Sequence, residues 1–269
     1  MASRLATRLF QILCFVACGA AQGQTFTPAI ELLPEVPTEG AGPAALNFSH
    51  GRETLSNDSP DWRETILRYQ HGLGKRHFIE GGVAQTERFD LDDTRFMGLY
   101  GVPLSDTLMA TVLAEYSSTH RVLPETLFDG VLQYEFARAW LVHGGARTTR
   151  YDDVRVNQGL LMLEHYFGNF SALVAWRPSR AFSVTAHSYE LRGAYYYTDT
   201  SSVVFSFADG EEATNVGTGV VIADVRSYAL IGKHDLEPGR WALRYALSYV
   251  KQGDFYNRRG LTLGVEYNF

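Results

Sequence analysis

Gly260-Leu261-Thr262-Leu263-Gly264-Val265-Glu266-Tyr267-Asn268-Phe269 closes the chain, and its alternation sets the class of structure to expect. Leu261, Leu263, Val265, Tyr267 and Phe269 alternate with Thr262, Gly264, Glu266 and Asn268. A period of two sends the first set to one face of a strand and the second set to the other. An aromatic carboxyl-terminal residue on such a strand is what the outer-membrane barrel assembly machinery reads on its substrates. Thr262, Gly264, Tyr267 and Phe269 together have the form of that signal. The sequence therefore predicts a membrane barrel, with that machinery as its partner during insertion. A two-sheet soluble sandwich is the alternative. It needs a core between two inner faces, whereas here apolar residues alternate with Arg and Glu in strand after strand.

The other end of the chain agrees. Arg4 and Arg8 precede an apolar run from Leu9 to Ala21, followed by the small residues Gly19, Ala20, Ala21 and Gly23. Residues 1–23 read as a secretory signal peptide, too short for a stop-transfer helix, with cleavage expected between Ala21 and Gln24. Lipidation of Cys18 is the alternative, although Phe15 stands where such signals want leucine. Cys14 and Cys18 both lie in this segment. Unless Cys18 is retained, the mature chain is expected to carry no thiol and no disulfide. Residues 24–43, with Pro28, Pro34, Pro37 and Pro43, read as an extended periplasmic lead-in. Residues 44–269 remain for the barrel.

Composition narrows the function classes. Beyond the leader no apolar run approaches the roughly 18 residues of a membrane helix, yet the chain holds 15 Tyr, 16 Phe and 4 Trp. Membrane barrels place such rings in interfacial girdles, and only every second residue faces lipid. That reconciles a membrane reading with a mean hydropathy of −0.14. A formal charge of −6 argues against a nucleic-acid partner.

About fourteen strand candidates are readable between residues 44 and 269. In the clearest, Trp241, Leu243, Tyr245, Leu247 and Tyr249 oppose Ala242, Arg244, Ala246 and Ser248. Leu132, Tyr134 and Phe136 oppose Gln133 and Glu135; Leu108, Ala110, Val112, Ala114 and Tyr116 oppose Thr111 and Glu115. Short connections at 72–75, 103–106, 168–169 and 237–240 alternate with longer polar ones at 54–61, 118–126 and 209–223. Barrels of this kind have short periplasmic turns and longer extracellular loops, so the parity predicts both termini in the periplasm. Between 178 and 208, Tyr195-Tyr196-Tyr197 reads either as strand or as girdle, and merging strands there gives twelve instead of fourteen. The expected fold is thus an all-β, transmembrane, antiparallel up-and-down barrel.

Gly144-Gly145-Ala146-Arg147, then Thr149-Arg150-Tyr151-Asp152-Asp153-Val154, then His165-Tyr166-Phe167-Gly168 resembles the YaiO family of outer-membrane β-barrels. Asp209-Gly210-Glu211-Glu212 and the run from Gln252 to Gly264 resemble it too. The resemblance covers most of the mature chain, more loosely before residue 120. It implies a barrel domain in the outer membrane and carries no reaction with it. Some relatives have helical repeats ahead of the barrel, as exopolysaccharide exporters do. The lead-in here is shorter than one such repeat of ~34 residues.

Two constellations invite an enzymatic reading. His187, Ser188 and Glu190 hold the groups for hydrolysis of lipid, but His187 and Ser188 are adjacent on a strand and point to opposite faces, whereas a nucleophile and its base must meet. Asp90, Asp92, Asp93, Asp152 and Asp153, with His120 and His143 elsewhere, contain the residue types of an Asp/His protease at a barrel mouth. Solvated loop charge is the plainer reading. Asp90-Leu91-Asp92-Asp93 lacks the glycine and distal glutamate of a calcium loop. No metal or cofactor is expected.

The charges placed on polar faces point to the lumen. Arg68, Glu80, Glu115, Glu135, Arg147, Glu164, Arg226, Arg244 and Glu266 fall there by alternation. A lysine or arginine facing lipid at the midplane costs about 2–4 kcal/mol. Mixed signs favour an interior ion-pair network over a ring of one charge, with a closed or narrow lumen. The expected function is a non-enzymatic barrel passing small solutes or glycan chains, or supporting the envelope, in contact with outer-membrane lipid and lipopolysaccharide. An outer-face enzyme acting on lipid or peptide is the alternative.

Overall fold

A computed structural model describes residues 44–74, 76–215 and 220–269. The expected signal peptide and lead-in lie outside those residues. Fourteen strands form one closed antiparallel barrel in which each pairs with its sequence neighbours and the last pairs with the first. In chain order they are β1 (Ala44–Leu55), β2 (Trp62–Gly74), β3 (His77–Arg88), β4 (Leu91–Pro103), β5 (Leu108–Ser117), β6 (Thr126–Ala137) and β7 (Trp140–Arg150). Then follow β8 (Arg155–Phe167), β9 (Phe170–Ala181), β10 (Val184–Tyr196), β11 (Ser202–Asn215), β12 (Val220–Glu237), β13 (Trp241–Gln252) and β14 (Tyr256–Asn268). Fourteen, not twelve, is the strand number.

Closure is direct. Ala45 pairs with Asn268 and Leu55 with Arg258, and the Phe269 amide donates to the Ala44 carbonyl at 2.9 Å. The start of β1 and the end of β14 therefore share one rim, the terminal rim; the other is the distal rim. Alternation holds along the closing strand: Leu261, Leu263, Val265 and Phe269 are exposed on the outer wall, while Gly264 and Glu266 are buried.

Loop lengths depart from expectation. The 56–61 and 118–125 connections at the distal rim are the long ones, but 209–215 and 220–223 of the polar stretch are paired strand. β11 runs on to Asn215 and β12 starts at Val220, with Glu211 opposite Asp224 and Ala213 opposite Ile222. The distal rim also carries two-residue turns at Phe89-Asp90 and Phe182-Ser183, all four residues at positive φ (55°, 60°, 48° and 66°). Two successive left-handed residues match the twist of a hairpin. The size contrast between the two rims is thus smaller than the sequence suggests.

Around the terminal rim the outer wall carries a chain of rings. Trp140 stacks on His165 at 4.0 Å, Phe167 on Phe170 at 5.9 Å and Phe170 on Tyr195 at 4.9 Å. Trp241 and Phe269 both meet Tyr267, at 4.6 and 4.9 Å. Towards the distal rim Phe207, Tyr228 and Tyr249 form a second group. Tyr195-Tyr196-Tyr197 is strand and girdle at once: Tyr195 and Tyr196 end β10, and Tyr197 follows it to lie against His234.

Candidate functional site

The inward residues of the strands build the lumen wall, which holds apolar clusters and ion pairs side by side. Phe78, Leu99 and Met109 pack together on β3, β4 and β5, and Met162, Leu173 and Ala175 do so on β8 and β9. Gly101 is required by the first cluster, because a Cβ there would stand 2.3 Å from the Phe78 ring. Between these clusters lie the charges.

Glu266 on β14 accepts from Arg244 Nη1 of β13 at 2.7 Å and from Lys233 Nζ of β12 at 2.8 Å. In the neighbouring hydrogen-bonded row, Lys233 faces Arg244 and Arg244 faces Gly264. Arg68 and Glu80 approach to 3.9 Å across β2 and β3. Arg95 sits between Glu115 and Glu64, 3.1 Å from each, with Thr86 donating to Glu64 at 2.8 Å. Arg147 Nε donates to Asp129 at 2.7 Å, and His143 lies 3.2 Å from Glu164. Glu190 collects Arg177 and Arg192 at 2.5 and 2.7 Å. Arg192 and Glu190 lie on one strand, β10, and every other pair joins strands that are neighbours or next but one, so the bonds run along the wall.

Two of the sequence-predicted interior charges behave differently. Glu135 accepts the Ala139 amide at 3.1 Å and so caps the β6–β7 turn at the terminal rim. Arg226 is not in the lumen. Alternation on β12 buries Val225 and Ser227 and leaves Arg226 exposed, 2.6 Å from Asp209, its cross-strand partner. Among the interior cations that escaped the sequence reading are Arg95, Arg177, Arg192 and Lys233. Of the terminal signal, Thr262 and Gly264 face inward while Tyr267 and Phe269 face outward.

At the distal mouth Trp62 is buried, with the Arg88 and Arg258 guanidiniums each 4.6 Å from its ring. Arg258 also reaches Glu53 at 3.0 Å. The 118–125 loop folds inward, burying Val122 and Leu123. Asp93 is its anchor: the fully buried carboxylate accepts Thr119 Oγ1 at 2.6 Å and the Val122 and Leu123 amides at 2.6 and 2.9 Å. Asp93 is therefore no solvated loop charge, while Asp90 stays in a tight turn. His120 Nε2 lies 3.0 Å from Asp152 at the exposed rim.

The lipase-like residues are held apart. Trp176 Nε1 donates to His187 Nδ1 at 3.3 Å on the outer wall. Ser188 is buried on the inner wall and donates to the Arg177 carbonyl at 3.3 Å. Among the described residues no group of acidic, His or Cys side chains has the arrangement to hold a metal ion.

Comparison with known proteins agrees with this architecture. The family described as YaiO membrane beta barrel domain matches residues 44–210, from β1 into β11. No curated protein matches the sequence. Among solved structures, the outer membrane protein Omp33 of Acinetobacter baumannii is 11% identical with a TM-score of 0.53, over 85% of this chain and 100% of the other. A bacterial polysaccharide outer membrane secretin is 10% identical with a TM-score of 0.52, over 84% of this chain and 98% of its own. At such identities the likeness is one of fold alone.

Proposed function

We propose, for a chain that belongs to the YaiO family and lies in the outer membrane, a non-enzymatic barrel whose narrow polar lumen passes small solutes or glycan chains. One observation carries this reading. The interior charges pair along the wall, through Arg244–Glu266, Arg147–Asp129 and Arg177–Glu190, instead of forming a ring of one sign. Pairing of this kind satisfies charges in a confined space and leaves their outer edges to contact a solute. A barrel that only supports the envelope would share the fold and carry no current. Planar-bilayer conductance of the refolded full chain, with and without oligosaccharides, separates the two. Discrete channels that oligosaccharides interrupt are expected; absence of any conductance would overturn the passage reading.

A second reading, an outer-face enzyme, has the His120–Asp152 pair in its favour. A hydrolase of that type needs a further base or nucleophile aimed at the same point. His120→Ala is expected to leave conductance intact and to remove no hydrolysis of peptide or phospholipid. Lipid or peptide cleavage lost in that variant would reverse the order of the readings.

The same proposal places the terminal rim in the periplasm. Both natural cysteines lie at positions 14 and 18, so single cysteines report cleanly once the expected signal peptide is removed. Asn57→Cys and Ser118→Cys at the distal rim are expected to label on intact cells, and Asn169→Cys and Gly239→Cys only after the outer membrane is opened. The reverse pattern would invert the orientation. Gly217, a further position in the same design, lies outside the described residues.

A further inference from the structure

The Glu190 cluster has more positive charge and more hydrogen-bond donors than its fold consumes. Glu190 is 2% exposed on its side chain. Its carboxylate takes Arg177 Nη1 at 2.5 Å, Arg192 Nη2 and Nε at 2.7 and 3.1 Å, and Ser206 Oγ at 2.8 Å. Four donors fill the roughly four lone-pair sites of a carboxylate. Two guanidiniums against one carboxylate leave one positive charge in excess.

The donors tell the same story. A guanidinium offers about five N–H groups. Arg177 turns Nη2 to the Met162 sulfur at 3.9 Å, a weak acceptor. Arg192 spends Nε and Nη2 on Glu190, which leaves its Nη1 edge. The two side chains keep 22% and 15% of their surface exposed while the carboxylate is sealed behind them. Their positions on β9 and β10 turn that surface to the lumen. The Arg95 cluster has the reverse stoichiometry, one cation between Glu64 and Glu115, and offers nothing comparable.

We infer that Arg177 and Arg192 form an oxyanion-binding station in the lumen wall, taking a carboxylate, sulfate or phosphate group of a passing solute. The planar fork of arginine matches such groups with two parallel hydrogen bonds. Glu190 and Ser206 act as positioning residues that hold both forks at fixed angles. The inference rests on the passage reading for its biological meaning, but the station itself does not require current to be observed.

The test is conductance of the refolded full chain in potassium chloride with added sodium sulfate. Sulfate is expected to block the wild type. In Arg192→Gln, where Glu190 retains Arg177 and Ser206, the half-blocking concentration is expected to rise about tenfold or more, the scale of one lost hydrogen bond to a charged group. Arg180→Gln makes the same charge change on the outer wall and is expected to leave block unchanged. Equal block in Arg192→Gln and wild type, or none in wild type, would overturn the station. If Arg192→Gln does not refold, Arg192→Lys keeps the charge without the fork and is expected to weaken block in the same direction; undiminished block there counts against the station. Replacing sulfate by glucuronate assigns the station to glycan carboxylates if block tightens and to inorganic oxyanions if it weakens. A wild type without conductance sinks the passage reading alone. The station is then judged by a sulfate-dependent rise in unfolding temperature, expected in wild type and lost in the variant; an equal rise in both would refute it.

Discussion

Replacing Glu266 with leucine tests whether the lumen charges hold the barrel together. The carboxylate is 7% exposed and serves two cations, Arg244 at 2.7 Å and Lys233 at 2.8 Å, whose side chains are 18% and 16% exposed. Breaking a buried ion pair by removing one partner costs about 3–5 kcal/mol, whereas a surface pair is worth about 0–1 kcal/mol. The acid side of this cluster is buried, but each cation keeps some contact with lumen water, which softens the loss. The lower end of the range, about 3 kcal/mol, is therefore expected for Glu266→Leu. With a urea slope near 3 kcal/mol per molar or less, that moves the unfolding midpoint down by about 1 M or more. The assay is urea unfolding in detergent followed by heat-modifiable mobility, run together with single-channel conductance. A midpoint shift under about 0.2 M with altered conductance would mean that water replaces the lost partner in a wide pore. No change in either quantity would refute the reasoning outright.

Other expectations follow from single contacts. Asp93→Ala strips the cap from the Val122 and Leu123 amides, at about 1–3 kcal/mol for each unsatisfied group, and is expected to loosen the loop so that trypsin cleaves after the already exposed Arg121 in purified protein. Resistance equal to wild type would remove Asp93 as the loop anchor. Gly101→Ala drives a methyl into the Phe78 ring and is expected to cost about 1–3 kcal/mol by overpacking, read as a lower unfolding midpoint; an unchanged midpoint would mean that Phe78 has room to move. Deleting Phe269 removes the ring against Tyr267 and the amide bonded to Ala44, and is expected to leave secretion intact while lowering the folded fraction in the outer membrane. Normal amounts of heat-modifiable barrel would discard the terminal-signal reading.

The strands were legible where lipid polices one face. Between Trp241 and Tyr249 of β13, and from Leu261 on in β14, the outward residues are aliphatic or aromatic and the inward ones small, polar or charged, so a period of two identifies both wall and register. The two-residue turns were not legible, because Phe89-Asp90 and Phe182-Ser183 lack the Asn-Gly or Gly signal that favours left-handed residues. Nor was the role of Asp93, whose partners Val122 and Leu123 lie across a loop that sequence spacing does not place.

Arg226 shows why the lumen was harder to read than the outer wall. On β12 the inward residues Ala223, Val225, Ala229 and Ile231 are buried and apolar, so hydrophobicity no longer separates the two faces. Arg226 also lies beyond Tyr228, on the distal side of the Phe207–Tyr228–Tyr249 rings. Interfacial rings flank the apolar band of a membrane barrel, and a charge on their far side escapes the cost that lipid imposes. The same release lets β11 and β12 continue through Glu211 and Asp224 as paired strand, where a run of acids reads as loop. Polarity thus marks the lumen only within the apolar belt. Inside it, the partner of each charge is set by register: Lys233 reaches Glu266 two strands away because Lys233, Arg244 and Gly264 share one row. A one-residue slip of β13 against β14 would turn every such pair to the opposite face, so the interior network is a consequence of the register that the outer wall enforces.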